Sequence, residues 1–152
     1  MKLAEALIER AEIQRKNGQL IDRIKNNTRF QEGDVPAENP EELIAEYEEN
    51  MKRFLVLVKR INDTNCKTPF EGAMCIADAI AERDYLGLRI KAYREFYDSA
   101  VVKRDNYYRR NEIRTVSNSN PRQLQERINE LSKEYRELDT KLQSMNWTVD
   151  LM

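Results

Sequence analysis

The chain has 152 residues, 35% of them charged, with four glycines, four prolines, no histidine and a formal net charge of −1. Near-neutrality excludes a bulk electrostatic footprint for nucleic acid or an anionic membrane, and the missing histidine removes the side chain best suited to proton transfer near pH 7 and the commonest metal ligand. The composition is that of long helices and coiled coils, and the length suits a single helical-bundle domain over 1–152.

Cys66 and Cys75 lack C-x-x-C spacing and histidine partners, so neither a zinc site nor a disulfide framework is indicated. Glu5 and Glu9 interrupt what would have to be the apolar core of a signal peptide, and no apolar stretch reaches membrane-spanning length. The expectation is a cytoplasmic protein that does not insert into membranes.

The first predicted helix covers 2–26. Leu3, Ala6, Ile13, Leu20 and Ile24 fall on heptad seam positions, with Arg10 and Asn17 in two further ones. A polar seam residue sets register at some cost in stability, which is the role expected of Asn17. Gly18 beside it lowers helix propensity and marks a bend or a close helix contact. Residues 27–39 have no helical period. Asn39-Pro40-Glu41-Glu42 then combines a capping side chain, a proline that needs no donor and a glutamate in the capping-box position.

The second helix is predicted over 40–62. Ile44, Tyr47, Met51, Phe54, Val58 and Ile61 form its seam, and Leu43, Leu55 and Leu57 widen the stripe beyond a two-stranded contact. Residues 62–72 are rich in turn formers and read as a loop carrying Asn62, Thr64 and Asn65. A third helix over 73–104 places Met74, Ala77, Ile80, Ala81, Leu88, Ala92, Phe96 and Ala100 as its apolar positions. Asp84 shares a face with Ala77, Ala81 and Leu88, so a carboxylate drawn into the bundle is expected, partnered by Arg83 or Arg89.

The period is lost over 103–119, and the alternation at 111–117 permits one short extended piece. Asn120-Pro121-Arg122-Gln123 repeats the start signal. The fourth helix, 121–146, carries Leu124, Ile128, Leu131, Tyr135, Leu138, Leu142 and Met145 at unbroken three-four spacing. Trp147 is expected to cap the end of the bundle by packing. The fold class is therefore all-α, an antiparallel coiled-coil or helical bundle of about four long helices.

Three constellations carry chemistry. Asn62, Thr64 and Asn65, Arg83 and Asp84, and Tyr107, Tyr108, Arg109 and Arg110 are polar residues outside the apolar seams. One reading makes them a pocket for a small anion, and the other makes the first three helix caps and the Arg83-Asp84 pair an ion pair. Arg109 and Arg110 interleaved with Tyr107 and Tyr108 also suit phosphate contacts and base stacking on single-stranded nucleic acid. Pairing of that basic tract with the acidic tract over 32–49 is favoured over nucleic-acid binding. Asp78 and Glu82, four apart on one helix face, invite comparison with all-helical, magnesium-dependent nucleotide hydrolases that present clustered carboxylates to the metal.

Val35-Pro36-Ala37-Glu38-Asn39-Pro40-Glu41-Glu42-Leu43, Arg60-Ile61-Asn62-Asp63-Thr64-Asn65, Asp78-Ala79-Ile80-Ala81-Glu82-Arg83-Asp84 and Leu138-Asp139-Thr140-Lys141 resemble the small bacterial helical family named septicolysin, and the similarity spans nearly the whole chain. The resemblance implies a helical protein with no established activity. The pore-forming toxin echoed in that name needs hairpins with alternating apolar faces, which a heptad-dominated chain does not offer. With four heptad-rich segments and no catalytic constellation, the expected function is that of a self-associating interaction or structural protein, a homo-oligomer that needs no cofactor.

Overall fold

The computed structural model describes residues 1–101 and 116–152. Four helices follow in order: α1 (Leu3–Asn27), α2 (Pro40–Lys67), α3 (Ile76–Ala100) and α4 (Pro121–Thr148). Among the described residues there is no strand, only isolated bridges between Lys2 and Asp150 and between Pro69 and Cys75. The chain is an all-α helical-bundle protein. It divides into two compact units, the first made of Met1–Ala77 with Ser144–Met152 and the second of Asp78–Gln143.

The caps expected at Asn39 and Asn120 form, while Glu42 meets the Asn39 side-chain amide rather than its backbone N–H, so the capping box expected there does not close. The Lys2 backbone N–H donates to Glu5 Oε2 at 2.7 Å, and Asn39 Oδ1 accepts from the Glu41 amide at 3.0 Å. Asn120 Oδ1 accepts from the amides of Arg122 and Gln123 at 3.0 and 3.5 Å. Each satisfies donors that the first turn of a helix leaves without partners.

In the first unit α1 and α2 run antiparallel. Glu9 meets Arg53, and Asn17 Nδ2 reaches Met51 Sδ at 3.3 Å. The α1 seam is the expected one: Leu3, Ala6, Ile13, Asn17 and Leu20 are buried, with Arg10 and Ile24 half-buried. The α2 seam is the expected one from Tyr47 onward: Tyr47, Met51, Phe54 and Val58 are half-buried and Ile61 buried, with Leu43 and Leu57 buried beside them and Thr64 extending the stripe, whereas Ile44 and Leu55 face solvent. Gly18 stands in open space, since a Cβ there would meet nothing within 4 Å. It marks no close helix contact.

The stretch expected to form a loop at 62–72 is helical as far as Lys67. Asn62, Thr64 and Asn65 therefore sit in the last turns of α2. The helix continues because Thr64 extends the four-three spacing of Leu57 and Ile61 and is itself fully buried. It stops at Thr68 because Pro69 excludes the residue before it from helical backbone, and Thr68 has ψ 119. A tight turn follows, in which Phe70 and Met74 share a 2.8 Å backbone hydrogen bond around Gly72 with φ 56. Only glycine adopts that left-handed backbone without cost.

The second unit pairs α3 with α4, also antiparallel. Arg83 meets Asp139, and the backbone at Gly87 comes close to the Tyr135 ring. Leu86, Ile90 and Leu131 form its buried core, flanked by Tyr93, Tyr135 and Leu138. Every expected seam position of α4 from Leu124 to Met145 is buried or half-buried. Trp147, expected to pack, is 59% exposed.

Candidate functional site

Two features of the second unit stand apart from ordinary packing, a polar groove and an open apolar side of α3. The groove arises from the pattern of α4. One residue beyond each member of its apolar seam lies Gln125, Asn129, Ser132, Arg136, Asp139 or Gln143, so a polar stripe runs along the seam at the same spacing. From α3, Arg94, Tyr97 and Asp98 complete the lining with Gln125, Ile128, Asn129, Ser132 and Arg136, enclosing about 440 Å³. A hollow of about 320 Å³ is lined by Gly87, Ile90 and Tyr135 and shares Arg94, Ser132 and Arg136 with the groove.

The arginine at the end of this stripe nearer the start of α3 is spoken for. Arg83 donates to Asp84 Oδ1 through Nη2 at 2.8 Å and through Nε at 3.1 Å, and Nη1 lies 3.4 Å from Asp139 Oδ1. The Asp84 carboxylate, helped by Asp139, holds the Arg83 guanidinium more firmly protonated than usual, against the opposing pull of partial burial. Arg94 and Arg136, by contrast, make no ion pair with any described residue. In the hollows of the first unit part of the lining charge is paired, Glu9 with Arg53 and Glu49 with Lys52 in one and Arg23 with Glu38 beside the other. The second hollow balances Lys16 with Asp22 and Glu46 in its lining, without an ion pair among the described residues.

The open side of α3 carries Tyr85, Leu88 and Phe96, exposed at 58%, 70% and 53%. At about 100° per residue they fall within one narrow sector together with Ala81 and Ala92. Of the third-helix positions assigned from the sequence to the bundle interior, Ala81, Leu88 and Phe96 are exposed, while Met74, Ala77, Ile80 and Ala92 are half-buried and Ala100 is buried. Asp84, expected to be drawn inside, has a side chain 62% exposed. The buried face of α3 lies opposite the open side, through Ala79, Leu86 and Ile90.

The residues singled out from the sequence do not converge. Asn62 is exposed and Asn65 half-buried on α2. Thr64 Oγ1 donates to the Arg60 carbonyl at 2.8 Å and accepts from the Met152 amide at 3.0 Å. That is a structural latch. Arg83 and Asp84 form the expected ion pair in the second unit. Asp78 and Glu82 are exposed in the first two turns of α3, and no group of three or more Asp, Glu, Cys or His among the described residues could hold a metal. Tyr107, Tyr108, Arg109 and Arg110, and the extended piece proposed over 111–117, apart from its last two residues, lie outside the described residues. Arg94, Tyr97, Asn129, Ser132 and Arg136 escaped the sequence reading. The signal that would have found them is the polar stripe running beside the apolar seam of α4.

Over residues 10–151 the sequence matches a family of unknown function (DUF6847), and the chain belongs to that family. It is similar to a solved protein described as a functionally unknown conserved protein from Corynebacterium diphtheriae. The two are 39% identical with a TM-score of 0.93, covering 100% of this chain and 99% of the other. No curated protein matches. None of the described helices is long and apolar enough to cross a membrane.

Proposed function

We propose that this is a self-associating helical-bundle protein that pairs with a second copy of itself through the open side of α3. The observation that carries the reading is the run of Tyr85, Leu88 and Phe96, three large apolar side chains exposed along one sector of a helix whose opposite sector is already buried. A helix apolar on both sides is built to be covered on both.

The flanks of the open side favour a second copy in antiparallel orientation. On the helical wheel, Asp84 and Lys91 flank the sector on one edge, and Glu82 and Arg89 on the other. A twofold axis across two antiparallel α3 helices brings like edges together with their order reversed, so Asp84 faces Lys91 of the second copy and Glu82 faces Arg89. Parallel pairing would set Asp84 against Glu82 and Lys91 against Arg89, like against like. The septicolysin resemblance supports a small helical protein without adding an activity.

Sedimentation velocity over a wide concentration range tests the reading. Wild-type protein is expected to dimerise, Leu88→Glu to sediment as a monomer with unchanged helicity, and Lys91→Glu to weaken pairing that Asp84→Lys in the same chain restores. A wild-type protein that stays monomeric throughout would overturn it.

A further inference from the structure

We propose that the groove between α3 and α4 binds a small phosphomonoester. Nothing about the dimer enters this inference, because Arg94 projects on the far side of α3 from Tyr85, Leu88 and Phe96, and pairing leaves the groove open.

The geometry follows from helix direction. Side chains on a helix lean toward its N-terminus. Because α3 and α4 are antiparallel, with position 83 level with 139 and 87 with 135, Arg136, at the end of the groove nearer the start of α3, and Arg94, level with Ile128 near its middle, lean toward each other. The level on which they converge is that of Ile90 and Ser132, and both arginines line both hollows there. Two guanidinium groups and a hydroxyl thus share one concavity. Asp98 is the single carboxylate in the lining, and although it stands one turn from Arg94 no ion pair joins them.

That donor set selects the ligand class. A guanidinium presents a planar fork to two oxygens. A carboxylate brings two oxygens and one negative charge to two guanidinium cations. The three terminal oxygens of a phosphomonoester meet both forks by sharing one oxygen between them, bring nearly two charges, and keep lone pairs for the Ser132 hydroxyl. The groove is larger than a phosphate group. Toward its other end, Tyr97 and Ile128 offer an apolar surface and Gln125 and Asn129 offer amides, so the organic part is expected to be small, with a flat or apolar portion.

Calorimetric titration of the intact protein with phenyl phosphate, inorganic phosphate and benzoate at constant ionic strength provides the test. Phenyl phosphate is expected to bind saturably and more tightly than either other probe. Arg94→Gln and Arg136→Gln, each checked for unchanged helicity and melting, should each weaken it about tenfold or more, the worth of a lost charge-assisted hydrogen bond. Lys133→Gln, which removes a cation engaged with Glu137 on the same helix, should leave binding unchanged. Absence of saturable binding, an equal loss in Lys133→Gln, or benzoate binding as well as phenyl phosphate would overturn the proposal.

Discussion

Thr64 shows how much one side chain can hold. Its hydroxyl satisfies the Met152 amide and turns back on the Arg60 carbonyl, in a site with no exposed surface. Around it, the Leu151 amide donates to the Met1 carbonyl at 2.9 Å, Leu3 donates to Val149 at 3.0 Å, and Arg60 Nε donates to the Met152 main-chain oxygen at 2.7 Å. Thr64→Val keeps the shape and removes the acceptor of the part-buried Met152 amide. Chemical denaturation should show a loss of about 0.5–1.5 kcal/mol, and Thr64→Ser should recover most of it. A neutral Thr64→Val would mean that water or a relaxed backbone serves the amide. Thr64 was misread from sequence because threonine and asparagine compete for backbone groups and therefore signal caps and turns. Here the same hydroxyl serves as a seam residue. Asn17 was legible for the converse reason, since a polar residue inside an otherwise apolar seam has few places to be. It is buried, with Oδ1 lacking a hydrogen-bond partner.

Among the elements, α1 and α4 were readable nearly residue by residue because each has one apolar stripe and one partner surface, so period alone identifies the buried face. In α2 the heptad reading holds from Tyr47 through Met51, Phe54 and Val58 to Ile61, and it fails at the two ends of the helix, where Leu43 rather than Ile44 is buried and a buried Thr64 carries the stripe past the residues read as a loop. In α3 the apolar residues nearly encircle the helix, and periodicity cannot say which side is covered. The groove was illegible for a different reason, since its polar stripe becomes a site only when a second helix supplies Arg94 and Tyr97. Gly18 offers a test at this scale. It lies within α1 with open space where a Cβ would stand, so Gly18→Ala should raise stability by about 0.5–1 kcal/mol through reduced backbone entropy in the unfolded chain. A destabilised variant in a urea titration would show that the helix bends there in solution.

For the whole molecule, acid sensitivity follows from two surface carboxylates. The hydrogen-bonded Arg23 guanidinium holds Glu38 below its ordinary value, and Lys2 does the same for Asp150. A carboxyl whose folded pKa is depressed contributes stability that is fully present above its unfolded value, near about 4, and is lost as the pH falls through the folded one. The urea midpoint should therefore fall below about pH 4, less steeply in Arg23→Gln and Lys2→Met. Both pairs are solvent-screened, so the change should be small and diminish with salt. Identical acid profiles for wild type and variants would remove these pairs from the account. Another consequence lies in the order of synthesis. The first unit is discontinuous in the chain, and residues 144–152, which complete it, leave the ribosome only after all of 78–143. At about 5–20 residues per second that interval lasts several seconds. The nascent α1–α2 hairpin passes it with Lys2, Arg60 and Thr64 unlatched, in a window during which a chaperone or a neighbouring nascent chain can reach groups that the finished fold conceals.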